Sequence, residues 1–449
     1  MNKYIYIFCF FVFTISVKAQ QSAMSLTLDE AIGYALKNSY STKMADNDIK
    51  AAHKKKWETT TIGLPQIDAK VDYQNWLKQQ VSLLPARLLD PTAPADALAP
   101  VTFGTKQNLN ATITLKQLIF DGSYLVGLQS AKTYLKISEQ AKEKTELGTK
   151  EAVINAYGNV LVAEKSIEIL KQNKIVLEKN LNDVKKIFEN GLNEEEDVEQ
   201  LEITLGNLNN QLNNVSRMKV IAYKMLNLTL GNSINTELKL SDSLDTLIDQ
   251  NINLNLASQD FNLNNHIDFK IAQNDREGKR LLMKLEQSKA LPSLSAFVNY
   301  GYTGNSDSFT FLKSDQKWFN SSLLGVSLNV PIFSSFKRNS KTAQAQIALD
   351  NADIKIDQIK EQLSLQVTSS KSDYQLSIEN YQTAKKNLAL AQRIEKKQQI
   401  KFFEGITTSF DLAQAQNQLY TQQQKYIQSM LEVISKKAAL ENALNLPIN

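Results

Sequence analysis

Leu64-Pro65-Gln66-Ile67-Asp68-Ala69-Lys70-Val71-Asp72-Tyr73 is echoed by Leu291-Pro292-Ser293-Leu294-Ser295-Ala296-Phe297-Val298-Asn299-Tyr300. Both stretches open on Leu-Pro and then alternate apolar with polar residues. Side chains on a strand point to opposite faces by turns, so this period of two reads as a strand with one greasy and one wet face. A partner follows each. Leu109, Ala111, Ile113 and Leu115 alternate with Asn110, Thr112, Thr114 and Lys116, and Leu324, Val326, Leu328 and Val330 alternate with Gly325, Ser327 and Asn329. Phe297 and Leu323 interrupt the polar face of the second pair.

Outward from each pair the period changes to that of a helix. After Ile119-Phe120 the apolar residues Val153, Ala156, Val160, Ala163, Ile167 and Leu170 step by three and four, and Leu177, Leu181, Val184 and Phe188 continue the seam. After Pro331-Ile332-Phe333 the same spacing runs through Ala345, Leu349, Ala352, Ile356, Ile359 and Leu363. These are coiled-coil stripes whose alanines permit close approach. Proline is absent between Pro100 and Pro292, and 334–404 lacks glycine as well, so nothing breaks the helices. At about 1.5 Å per residue, a helix over 123–190 would be roughly 100 Å long.

Each long helix reverses at a glycine. Gly191 and Gly405 suit left-handed caps, with Asn193 and Glu196 predicted as the capping pair of the first returning helix and Thr408 and Asp411 as that of the second. The chain therefore states a strand-strand-helical-hairpin unit twice. Pro65 and Pro292 are 227 apart, whereas Phe120 and Phe333 are 213 apart, which places a 14-residue insertion in the first strand pair. That insertion, between Trp76 and Gln107, contains Pro85, Pro91, Pro94 and Pro100 and reads as a long loop.

Residues 1–19 combine Lys3, an apolar stretch from Tyr4 to Val17 and the small-x-small site Val17-Lys18-Ala19, the signature of a cleaved secretory signal, a membrane anchor being the alternative although the apolar stretch is short for a bilayer. Cys9, the sole cysteine, lies within it, so the exported chain has neither disulfide nor thiol chemistry. A net charge of +4 over 449 residues is too mild to imply nucleic acid. His53 and His266 have no ligand-spaced partner and read as solvated histidines. Lys54-Lys55-Lys56 reads as a solvated helix face. No hydrolase, metalloprotease, nucleotide or redox motif is present, so an enzyme is not expected, nor is a cofactor or metal.

Amphipathic strands of about ten residues match those of a transmembrane barrel, although two hairpins on a soluble core would show the same alternation. Four strands cannot close a barrel, and an open edge in lipid leaves peptide groups unpaired. If the strands are in lipid, the chain must oligomerise, and a trimer supplies twelve. On this reading Tyr73, Trp76, Tyr300 and Tyr302 are membrane-interface aromatics, with Trp57 left open and core packing as the alternative.

The expected architecture is an α+β membrane protein: a signal at 1–19; a first repeat over 20–230, with strands at about 66–76 and 108–118 and a helical hairpin over 122–230 turning at 190–194; a linker over 231–262; and a second repeat over 263–445, with strands at about 293–303 and 321–331 and a hairpin over 334–445 turning at 404–409.

At the level of motifs the chain resembles the TolC-like outer-membrane efflux protein family. Leu26-Thr27-Leu28-Asp29-Glu30-Ala31-Ile32-Gly33-Tyr34-Ala35-Leu36-Lys37-Asn38-Ser39 is similar to that family's opening helix. Leu291-Pro292-Ser293-Leu294-Ser295 and Val330-Pro331-Ile332-Phe333 resemble its strand entry and exit, more weakly repeated in Leu118-Ile119-Phe120-Asp121-Gly122. The resemblance covers essentially all of 25–445. It implies a homotrimeric twelve-stranded β-barrel in the outer membrane of a Gram-negative cell, continuous with an α-helical barrel in the periplasm. The implied partners are a periplasmic adaptor and an inner-membrane transporter of RND or ABC type.

Carried over by position, the adaptor-docking tips are Gly191, Leu192, Gly405, Ile406 and Thr407. Asp411 matches the first aspartate of the family's periplasmic aperture, while the second falls on Gln414. Asp197 is the repeat equivalent of Asp411, beside Glu194, Glu195 and Glu196. Acids in a helix's first turn are also stabilised by its dipole, so capping is the competing reading. The implied function is a passive exit duct for small-molecule efflux. The same duct serving type I protein secretion, and an exported coiled-coil scaffold or adaptor without a pore, are the alternatives.

Overall fold

The computed structural model describes residues 24–192 and 194–446. The secretory signal, Cys9 and the capping role of Asn193 thus lie outside the described residues. In chain order the elements are β1 (Met24–Leu26), α1 (Leu28–Asn38), α2 (Tyr40–Thr61), β2 (Gln66–Asn75), β3 (Val81–Pro85), β4 (Leu98–Thr102), β5 (Gln107–Asp121), α3 (Gly122–Glu189) and α4 (Glu195–Leu230). Then come β6 (Leu238–Leu240), α5 (Leu244–Asn251), α6 (Leu254–Ala257), α7 (Ile267–Ser288), β7 (Ser293–Ser306), β8 (Trp318–Asn329), α8 (Lys337–Phe403) and α9 (Ser409–Ala443). The described residues up to Met44, within Thr145–Asn262 and from Leu363 onward form one compact unit, and Ala45–Lys144 with Leu263–Gln362 form another. α3 and α8 run uninterrupted for 68 and 67 residues, as the lack of helix breakers dictates.

The strand-bearing unit is organised by a four-stranded sheet in the order β2-β5-β7-β8, antiparallel throughout. Its register places Tyr73 beside Leu109, Leu109 beside Gly304 and Gly304 beside Trp318, and stacks Ile67, Leu115, Val298 and Leu324 in a parallel row three rows away. One face is therefore apolar across β2, β5 and β7 and over Leu324, Val326 and Leu328 of β8, where Asn320 and Ser322 interrupt it, while Asp68, Lys70, Asp72, Asn110, Thr112 and Thr114 occupy the other. The Phe297 interruption has a local cause. Phe297 faces Gly325 across β7–β8, and a β-carbon on Gly325 would lie 2.4 Å from the ring, so the ring lies flat over a glycine that leaves room for it. β5 enters α3 through Asp121, whose Oδ1 accepts from the N–H groups of Ser123 and Tyr124 at 2.6 and 3.1 Å. The second exit differs: Ser335 and Phe336 take φ of +47° and +61°, a region that L-residues rarely adopt.

Two expectations need correction in this unit. The proline-rich segment after Trp76 is not a bare loop: β3 and β4 pair antiparallel, Leu83 opposite Pro100 and Pro85 opposite Leu98. Proline is compatible because each strand of a two-stranded ribbon has a free edge. His266 is buried, not solvated. It is the N-cap of α7, its Nδ1 accepting from the Asp268 N–H at 3.2 Å. His53, Lys54 and Lys55 are exposed on α2 and Lys56 is half-buried, and Trp57 is exposed there as well.

The other unit packs around the short parallel pair β1–β6. A capping box of Thr27 and Glu30 starts α1, and Ala31, Ala35, Leu226, Leu230, Ile248, Met430 and Val433 share one core with residues of α3 and α8. Two buried tyrosines, one from each repeat, secure the connecting segments. Tyr157 donates to Leu26 O at 3.0 Å and to Asp242 Oδ2 at 2.9 Å, and Tyr374 donates to Asn251 O at 2.7 Å while accepting from the Asn253 N–H. Burial and the Asp242 carboxylate push the Tyr157 phenol well above its ordinary range. A second core of Leu170, Leu177, Leu181, Val184, Leu201, Leu208, Phe402 and Leu412 joins the two hairpins toward their turns.

Candidate functional site

The two helical turns are built alike. Gly191 and Gly405 have φ of +73° and +71°, and the following N–H groups of Leu192 and Ile406 reach back to Ile187 O and Lys401 O at 3.1 and 2.8 Å. Each is a Schellman-type stop, which only a residue without a β-carbon makes without strain. Each glycine then presents one bare aliphatic side chain, Leu192 at 76% and Ile406 at 65% exposure. Thr407, half-buried, leads into α9.

The starts of the returning helices differ. Thr408 caps α9 in a full capping box with Asp411, whose Oδ2 accepts from the Thr408 N–H at 3.3 Å and from its hydroxyl at 3.0 Å. Glu194 is the N-cap of α4 and makes no side-chain capping bond, so the box expected with Glu196 is not formed by a described residue. Asp197 turns elsewhere: its Oδ1 accepts from the backbone N–H of Ser409 at 3.3 Å. The two aspartates singled out from the sequence therefore meet at the N-terminus of α9, where the helix dipole stabilises both charges. Gln414 is exposed on α9.

Below the turns runs a set of polar bonds that sequence reading missed. Asn173 and Gln423 exchange amide hydrogen bonds at 2.7 and 3.3 Å, and Gln399 donates to Asn180 at 3.0 Å. Each links the first hairpin to the second. Glu395 faces Gln416, whose side chain is buried and whose Oε1 has no partner among the described residues. Burial holds the Glu395 carboxyl above its ordinary value, opposed by the hydrogen bond from Gln416, and burial with the Glu395 charge pushes the Tyr420 phenol up to about 12.

On the sheet, the aromatic residues gather at the end where β2 finishes. Tyr73 makes edge-on contacts with Phe309 and Phe311 at ring distances of 5.8 and 5.9 Å, and Phe311 reaches Trp318 at 6.3 Å. Trp76 follows directly, its N–H bonded to Lys106 O at 2.9 Å. Tyr302 and Tyr300 lie one and two rows further along the same face, their hydroxyls 2.9 Å apart. Phe309 and Phe311 went unremarked in the sequence because they sit in a connection without periodicity.

Among the described residues no helix is long and apolar enough to cross a membrane, and no group of three or more His, Cys, Asp or Glu could hold a metal ion. A sequence profile described as outer membrane efflux protein matches residues 31–232 and 262–446. The outer membrane protein TolC of Vibrio cholerae serotype O1 is 25% identical over 253 residues, which are 54% of this chain and 54% of that protein. The match thus spans about half the length of that relative. Among solved structures, VceC from Vibrio cholerae superposes with a TM-score of 0.70 at 16% identity, over 94% of this chain and 97% of the other. CusC gives 0.73 at 14% identity over 94% and 92%, and the open state of the MtrE channel of Neisseria gonorrhoeae gives 0.69 at 14% over 93% and 88%. At these identities the likeness shows a shared fold.

Proposed function

The chain belongs to the outer membrane efflux protein family, and from that premise we propose that it is the trimeric outer-membrane duct of a tripartite efflux assembly in a Gram-negative cell, a passive conduit with no turnover of its own. The observation that carries this reading is the sheet: one face largely apolar over four strands, and both outer strands without a partner along their far edges among the described residues. Ile67, Val71, Leu324, Val326 and Leu328 all stand exposed on that face. In water such a surface is an aggregation hazard; in lipid it is the required outer wall.

From Trp318 to Leu328, at about 3.4 Å per residue and a tilt near 40°, β8 spans roughly 26 Å of bilayer height. That matches the hydrocarbon layer crossed by outer-membrane barrels. The edges of β2 and β8 must find partners because unpaired peptide groups in lipid cost several kcal/mol each. Pairing β2 of one copy with β8 of the next satisfies both, and three copies close twelve strands. Leu192, Ile406 and the backbone around Gly191, Gly405 and Thr407 are the surface offered to a periplasmic adaptor, and an inner-membrane transporter supplies the energy. Small molecules are the proposed cargo.

The test is recovery from outer membranes of a species that migrates as a trimer unheated and as a monomer after boiling, and that conducts ions in planar bilayers. Recovery as a soluble, non-conducting monomer overturns the reading.

A further inference from the structure

The polar face of the sheet is not uniformly polar. At the end of the sheet where β2 begins beside Leu64, two successive cross-strand rows break the pattern. In one, Gln66 lies beside Lys116, Lys116 beside Phe297 and Phe297 beside Gly325. In the next, Leu118 lies beside Ser295 and Ser295 beside Ser327. All of these except Gly325 line a cavity of about 450 Å³, which Ile62, Leu64 and Gln117 help to enclose.

Its chemistry is specific. The Phe297 ring is pressed against Gly325 on one side, which leaves its other side as a flat apolar platform. Lys116 is the only charged residue among the described residues that line the cavity. It makes no ion pair with any described residue, unlike Lys70 one strand away, which holds Asp72 at 2.9 Å. The hydroxyls of Ser295 and Ser327 are likewise uncommitted within the described residues. An apolar platform, one free cation and two free hydroxyls in a cavity of drug-like volume form a recognisable recognition set.

We propose that this cavity is a binding station for amphipathic organic anions, which lay an aromatic or similarly flat apolar body on Phe297 and place a carboxylate or sulfonate against Lys116, with the Ser295 and Ser327 hydroxyls donating to the remaining acid oxygens. The proposal rests on the duct reading, since the polar face then lines the conduit, and it narrows the cargo to a chemical class. Phe297 supplies the apolar surface that a wholly hydrated wall would not offer such a solute. The charge-assisted contact at Lys116 sets the sign of the ligand.

The test is block of single-channel current in planar bilayers by naphthalene-2-sulfonate, with acetate and 2-naphthylmethylammonium as controls. The sulfonate is expected to block, acetate to leave the current unchanged for want of an apolar body, and the ammonium ion to block far more weakly. Lys116→Gln is expected to raise the half-blocking concentration about tenfold, as loss of one charge-assisted contact implies. Phe297→Leu is expected to raise it by about threefold, and Lys116→Arg to retain block. Equal block of wild type and Lys116→Gln, or equal block by the cation, overturns the station. Conducting channels that the sulfonate never blocks overturn the station and leave the duct intact, whereas a wild-type protein that forms no channel overturns both.

Discussion

The Asp197 carboxylate, in the first turn of α4, accepts the backbone N–H of Ser409, the first residue of α9, at 3.3 Å. One hairpin thus caps the other across 212 positions of sequence. Such a bond satisfies a donor that a helix start otherwise leaves to water, and is ordinarily worth about 0.5 to 2 kcal/mol. Asp197→Ala is therefore expected to speed amide exchange at Ser409 by roughly three- to thirtyfold, read by hydrogen-exchange mass spectrometry on the turn peptides. Unchanged exchange would show that water replaces the carboxylate without loss.

Asp411 serves its own helix through Thr408. If threefold symmetry gathers three copies of it around a constriction, Asp411→Asn lowers cation selectivity and divalent block in bilayer recordings. Thr408→Ala, which breaks the box but keeps the charge, is expected to cost about 1 kcal/mol of helix stability and leave selectivity in place. Selectivity unmoved by Asp411→Asn would assign the aspartate to capping alone.

Glu395 gives the hairpin region a pH dependence whose sign is fixed. Burial raises its folded-state pKa above the ordinary 4.5, so the folded state favours the protonated acid, which can also donate to the unpartnered Gln416 Oε1. The stabilisation is complete below 4.5 and is lost as pH rises through the raised value. Exchange protection of 391–420 should fall across that window in the wild type and stay flat in Glu395→Gln. A flat wild-type profile would refute the coupling.

Gly325→Ala forces a β-carbon to within 2.4 Å of the Phe297 ring. The expected cost is about 1 to 3 kcal/mol, seen as a lower melting temperature of the unheated oligomer on gels. Phe297→Leu should recover part of it, so the pair is non-additive in a double-mutant cycle. Additive effects would mean that the ring does not depend on the glycine.

The strand faces were legible because the alternation of Ile67, Ala69, Val71 and Tyr73 with charged neighbours survives in the sheet register. The helical turns were legible because Gly191 and Gly405 occupy the left-handed region that few other residues tolerate. The β3–β4 ribbon was hidden by its prolines, which signal turns by themselves and become strand residues only where an edge is free. His266 was hidden too, since its burial comes from the α7 start and its surroundings, not from neighbours in sequence.

Periodicity and breakers are local properties, so the sequence by itself determined the doubled strand-strand-hairpin unit, the two faces of each strand and the glycine turns. Only the tertiary structure decided which polar residues leave water. Asn173 with Gln423, Asn180 with Gln399 and Asp197 with Ser409 are far apart in the chain and ordinary in composition. Their roles depend on which helix face or strand register brings a complementary group to them, because a hydrogen bond requires a partner within about 3 Å and hundreds of residues can separate the two in sequence.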